Sequence, residues 1–231
     1  MFNFFSKKKK LAIAQPPETW EEAEKLLMPV LSTSESVRDF LTVGQNDPRT
    51  SGEGGAVVTE RLDFLISYVI DLGEGMLPIT EKLAQAFEVD MNSYPFARRA
   101  YDNLVQYINE KKTIKYESVG DSLAFINTTP NPDDDYVASI AAFPDLLGQY
   151  VGRLTNDEVY IVFPNRYSIS IMKSSDGLKL LAEKAIADFH PSVHPRKRVS
   201  KSIYRFKVGG DLTLEETLTD EYIQEILARG C

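Results

Sequence analysis

The sequence predicts an α+β fold, a mostly antiparallel sheet built from strand pairs with helices packed on it. Three observations carry this. β-branched and aromatic runs come in pairs around short turn sequences, helical patterns lie between the pairs, and 43% hydrophobic residues suffice for a buried core. Strict alternation of single strands with helices would instead indicate a parallel sheet. The expected organisation is a mobile basic tail at 1–15 and a single α+β domain over 16–231, with Gln15, Pro16 and Pro17 between them.

Thr19 and Glu22 have the spacing of a capping box, and Trp20, Ala23, Leu27 and Leu31 follow at helical intervals. Together they predict one amphipathic helix over about 19–31. A shorter helix is expected from Ser34 to Leu41, and the Gly, Asn, Asp, Pro and Ser content of Gly44 to Gly55 predicts a long loop. The run ending at Asp71 predicts a buried strand from Phe64 to Ile70, then a glycine turn and a short strand from Met76 to Ile79. Thr80 caps a helix through Phe87. A longer helix spans about Ser93 to Glu110, with Phe96, Ala100, Leu104, Tyr107 and Ile108 on one face and Arg98, Arg99, Asp102 and Asn103 on the other.

Thr113 to Tyr116 and Ser122 to Asn127 read as paired strands, and Thr128 to Asp135 as a loop. Val137 to Val151 is apolar and helical from Phe143, with Pro144 in its first turn. The clearest hairpin pairs Asp157 to Phe163 with Tyr167 to Met172 around Pro164, Asn165 and Arg166. Ser174 or Ser175 opens a helix in which Leu178, Leu181, Ala182, Ala185, Ile186 and Phe189 share a face. A last strand pair, Ser202 to Val208 and Leu212 to Leu214, turns at Gly209 and Gly210, and Thr219 with Asp220 and Glu221 opens a closing helix.

With 26 Lys+Arg against 34 Asp+Glu, the net charge of −8 argues against nucleic acid as a partner, because phosphate affinity comes from clustered basic side chains. Arg196, Lys197 and Arg198 with Lys201 form the one basic cluster in the folded part, and such short charge runs are usually a solvated loop. The only cysteine is Cys231, so the core relies on packing rather than a disulfide, which suits a reducing cytoplasm. No uncharged apolar run approaches the roughly 18 residues a spanning helix needs. At the start, Phe2, Phe4 and Phe5 precede Lys7 to Lys10, the reverse of a secretory signal, and suit at most weak peripheral contact with an anionic membrane.

Motifs for familiar chemistries are missing or broken. His190 and His194 are four apart, but each is followed by proline, which breaks the helix that would turn both toward one metal. Gly73 and Gly75 lack the third glycine of a dinucleotide fingerprint, where Pro78 stands instead. Asp133 to Asp135 lacks the spacing of a calcium loop. No metal and no cofactor are expected.

Several stretches taken together resemble the YtpQ-type family of bacterial proteins, which has no assigned activity. They are Phe64 to Asp71, Met76 to Lys82, Ala97 to Leu104, Tyr136 to Ser139, Val159 to Arg166 and the short strand Ser202 to Phe206, in order over about residues 56–207. Tyr167 stands where the family often has an acidic residue. The resemblance implies a soluble cytoplasmic bacterial α+β protein and supplies no catalytic residues to carry over.

The expected function is that of a non-enzymatic interaction or accessory protein with a protein partner. The alternative is an enzyme acting on a phosphorylated or acidic small molecule through Asp71 and Arg166, helped by Asn165. These residues lie where apolar strands meet turns, and side chains at such ends can converge at a sheet rim without disturbing the core.

Overall fold

The computed structural model describes residues 16–33, 58–73, 75–90, 94–110, 114–128 and 136–229. The basic tail, the helix expected from Ser34 to Leu41, the loop Gly44 to Gly55 and the acidic turn Asp133 to Asp135 lie outside these residues. The expected α+β class is the one observed: two antiparallel sheets with helices packed on them.

The first sheet is built around β3 (Phe64–Asp71). β1 (Leu27–Ser32) runs along one side, from Leu27 opposite Ile70 to Ser32 opposite Leu65. On the other side, β2 (Val58–Arg61) pairs with the first half of β3 and β4 (Met76–Pro78) with the second. Between β4 and the second sheet come α2 (Glu81–Ala86), capped by Thr80, and α3 (Tyr94–Glu110).

β1 corrects the helix expected over 19–31. Thr19 does cap a helix, accepting the Glu22 N–H at 3.3 Å, but α1 (Trp20–Ala23) gives way to a 3-10 turn and then to strand at Leu27. Pro29 is the reason: it has no N–H for a helix and disfavours helical backbone before it, while an edge strand accommodates it. All six residues of β1 are buried, and a strand apolar on both faces has no period to tell it from a buried helix. The switch is held from α3, where the Asn103 Nδ2 donates to Glu24 O and Leu27 O, each at 2.8 Å. Asn103 therefore works inward, although the helical pattern puts it on the outer face.

The second sheet comprises β5 (Ile114–Val119), β6 (Leu123–Thr128), β7 (Val159–Asn165), β8 (Ser168–Lys173), β9 (Ser202–Phe206) and β10 (Thr213–Thr217). Among the described residues its order is β10-β9-β7-β8-β6-β5, antiparallel throughout. β7 runs on through Pro164 and Asn165, so the hairpin turns at Arg166 and Tyr167, one step later than its sequence suggests.

The strands of this sheet alternate between two cores. Ile161, Phe163, Ile169, Ile171, Tyr204 and Phe206 face the larger one, shared with the first sheet, α3, a 3-10 stretch Val137–Ala142 and α4 (Pro144–Val151). Tyr160, Val162, Met172 and Ile203 face the other way. They are covered by α5 (Asp176–Phe189) through Ala182, Ala185, Ile186 and Ala187, and by α6 (Asp220–Ala228) through Ile223. The two sheets meet at three aromatic rings. Phe64 of β3 and Phe163 meet edge to face with centroids 5.3 Å apart, and Phe163 stacks on Tyr204 at 4.7 Å.

Candidate functional site

The sequence puts Arg166 at a solvent-facing hairpin turn, and it is instead 1% exposed. Its Nε donates to Leu31 O at 3.1 Å and its Nη2 to Ser32 Oγ at 3.0 Å, so it seals the end of β1. The backbone holds it in place: Arg166 N donates to Lys197 O, and Arg166 O accepts from Ala138 N, both at 3.1 Å. An arginine survives burial when its donors meet fixed acceptors, and here strand-end carbonyl and hydroxyl oxygens supply them. Asn165 is buried too. Its Oδ1 accepts the Tyr167 N–H at 2.9 Å and the Ser168 hydroxyl at 3.2 Å, which closes the turn.

Asp71 sits at the far end of β3. Its Oδ1 accepts the Gly73 N–H at 2.8 Å in an Asx turn, with Gly73 at φ +79°. Arg166 meets Leu31 and Ser32, whose partners on β3 are Ile66 and Leu65, and Asp71 follows Ile66 by five residues. At about 3.3 Å per residue the two lie roughly 16 Å apart along the ladder. Asp71 and Arg166 therefore do not face one cleft, and the joint site with Asn165 does not form. Asp71 instead rims an open cleft of about 470 Å³ between Lys25, Met28 and the last turns of α3 at Gln106 and Glu110. The Gln106 amide is already committed to Glu110 at 2.7 Å, so the cleft offers carboxylates and the Lys25 ammonium at its rim.

The densest polar constellation involves residues that sequence reasoning does not single out. Asp63, in the β2–β3 turn, accepts hydrogen bonds from the hydroxyls of Ser200 at 3.0 Å, Ser202 and Tyr204. Ser200 and Tyr204 also bond each other at 2.6 Å, and Ser202 bonds Thr217 at 2.7 Å. Burial first, and then the Asp63 charge, push the Tyr204 hydroxyl well above its ordinary range, so it stays a donor. Three hydroxyl donors leave this carboxylate engaged, and the arrangement clamps the hairpin tip onto β9. Arg61, in the same hairpin, adds a bond to the Ala142 carbonyl. The local sequence signals none of this, because the partners lie 137 to 141 residues away.

The expected basic cluster is pinned rather than free. Lys197 lies over the Tyr167 ring at 5.5 Å, Arg198 donates to Pro191 O at 3.3 Å, and Lys201 pairs with Asp220 at 2.9 Å. His190 caps the C-terminus of α5 beside these charges and is half-buried, in place of the expected solvated loop. Burial, then the Arg198 and Lys201 charges, push it from 6.5 down to about 4, against a smaller opposing pull from Asp220. Between those values the unfolded chain binds the proton that the folded chain refuses. Stability is therefore expected to be full above about 6.5 and to fall as pH drops from 6.5 toward 4. Urea midpoints across that range, for the native chain and His190→Gln, check it: the substitution should flatten the slope, and an unchanged slope would contradict the assignment. The Asp220 carboxyl, held below its ordinary 3.8 by Lys201, acts at lower pH.

Among the described residues, no three His, Cys, Asp or Glu side chains gather as metal ligands, and no helix is long and apolar enough to cross a membrane. No family model, no curated protein and no solved structure matches the chain.

Proposed function

We propose that this chain is a non-enzymatic interaction or accessory protein of the bacterial cytoplasm, and that α5 carries its partner surface. The supporting observation is the exposed apolar surface of α5: Leu180, on its outer side, is 65% exposed, while Leu181 and Phe189, at the margin of its buried side, are 36% and 47% exposed. The inner side of the same helix already buries Ala182, Ala185, Ile186 and Ala187. A helix resting on a sheet needs one apolar side, so the apolar surface left exposed at its margin and on Leu180 is surplus to the fold. From Leu181 to Phe189 it extends about 12 Å at 1.5 Å per residue. The neighbouring α6 adds Leu227, 40% exposed, and carries the exposed acids Glu221 and Glu225 on another side. The partner that fits is a protein with an apolar centre and basic surroundings. The resemblance to the YtpQ-type family over about residues 56–207 belongs to the same proposal and supports the bacterial and cytoplasmic setting.

Retention of one partner from native lysate at physiological salt, identified by mass spectrometry, tests the reading. The full chain should retain that partner, and the double variant L180E/L181E should lose it while keeping its circular dichroism spectrum. Retention of nothing, together with turnover of a small molecule by the purified chain, would reverse the assignment.

A further inference from the structure

β5 ends the second sheet, and among the described residues nothing pairs with its outer edge. Such an edge presents a row of unpaired N–H and C=O groups, and proteins blunt these edges with bulges and charges of one sign. The opposite edge is blunted in that way. β10 is bulged between Leu214 and Glu216, and it carries Glu215 and Glu216, with Glu215 held by Arg205 at 2.6 Å. Self-pairing there would bring acid against acid.

β5 is different in both respects. It pairs with β6 residue for residue from Ile114 opposite Thr128 to Val119 opposite Leu123, without a bulge. Its charges are Lys115 and Glu117, two apart on one face and both exposed. Their cross-strand neighbours on β6 are Asn127 and Phe125, which carry no charge, and neither Lys115 nor Glu117 joins an ion pair within the described chain. Among the described residues, opposite charges therefore sit at an unpaired edge with no ion-pair partner.

We propose that a second copy of this chain pairs with β5, edge to edge and antiparallel, about a two-fold axis at Tyr116. In that register Lys115 of each copy faces Glu117 of the other, giving two cross-strand ion pairs on one face with the Tyr116 residues opposed on the other face. The charges select this register. An axis at Lys115 or at Glu117 would oppose like charges, and an axis between Tyr116 and Glu117 would set Lys115 against Ser118. The ladder then continues through both copies as one antiparallel sheet. This interface does not depend on the α5 surface.

Sedimentation equilibrium of the full chain at about 0.15 M salt decides it. The native chain should form a reversible dimer. K115E and E117K should each weaken it about tenfold, because each turns two attractive cross-strand pairs into repulsive ones. An equimolar mixture of the two single variants should regain native affinity, since one copy then presents two acids at these positions and the other two lysines. The double variant K115E/E117K, which exchanges the charges within each strand, should regain it too. Both positions are exposed, so circular dichroism should be unchanged. A native chain that stays monomeric, with β5 free or occupied by another protein's strand, overturns the proposal. So do single variants that dimerise like the native chain, or a mixture that fails to recover.

Discussion

Arg166→Met is expected to lower the unfolding free energy by about 3 kcal/mol, because removing one partner of a buried charged contact leaves the others desolvated and unpaired. Methionine fills much of the volume but offers nothing to Leu31 O and Ser32 Oγ, which Arg166 now satisfies from a position 1% exposed. For a chain of this size the melting temperature should fall by roughly 6–12 °C. The double variant R166M/S32A should recover about 1 kcal/mol, since one stranded hydroxyl is gone. Urea unfolding of the three proteins measures both quantities. Native stability in Arg166→Met would show that the turn tolerates loss of the guanidinium and that β1 is held elsewhere.

A still larger loss, about 3–5 kcal/mol, is expected for Phe163→Ala, the range for emptying a fully buried aromatic site. Phe163 stands between Phe64 of the first sheet and Tyr204 of the second, so the substitution also removes two ring contacts worth about 0.5–1.5 kcal/mol each beyond their area. Phe163→Leu keeps most of the volume and should lose about a third as much. The effect should appear as a lower denaturant midpoint with the slope unchanged. A cost below about 1 kcal/mol would mean that the sheets hold together without this ring.

The parts legible in sequence are those whose cause is local. The strand to Asp71, the three hairpins of the second sheet and the helices beginning near Thr80, Asp176 and Asp220 follow from alternation, turn residues and caps a few positions apart, and all are present. β1 is hidden because it is apolar on both faces, although Pro29 in its middle is the local clue that no helix continues. The site is far less legible. An arginine in a hairpin turn reads as exposed, and only the end of β1, 134 to 135 residues earlier, makes it a buried residue. Asp71 and Arg166 share a type of place, the end of an apolar strand, but strand ends fall on opposite rims of a sheet as readily as on one. That choice depends on pairing order, which no window of sequence contains.

The clamp at Asp63 also sets a schedule for synthesis. Ser200 emerges 137 residues after Asp63, which at 5–20 residues per second is on the order of ten seconds on the ribosome. For that interval the nascent first sheet has its turn in place but lacks the hydroxyls of Ser200 and Tyr204 and the Tyr204 ring, and for most of it the Phe163 ring, against Phe64. The amino-terminal third thus waits, with sticky surface showing, for the last strands to arrive. A truncated chain ending before Ser200 should be a substrate for chaperones where the complete chain is not.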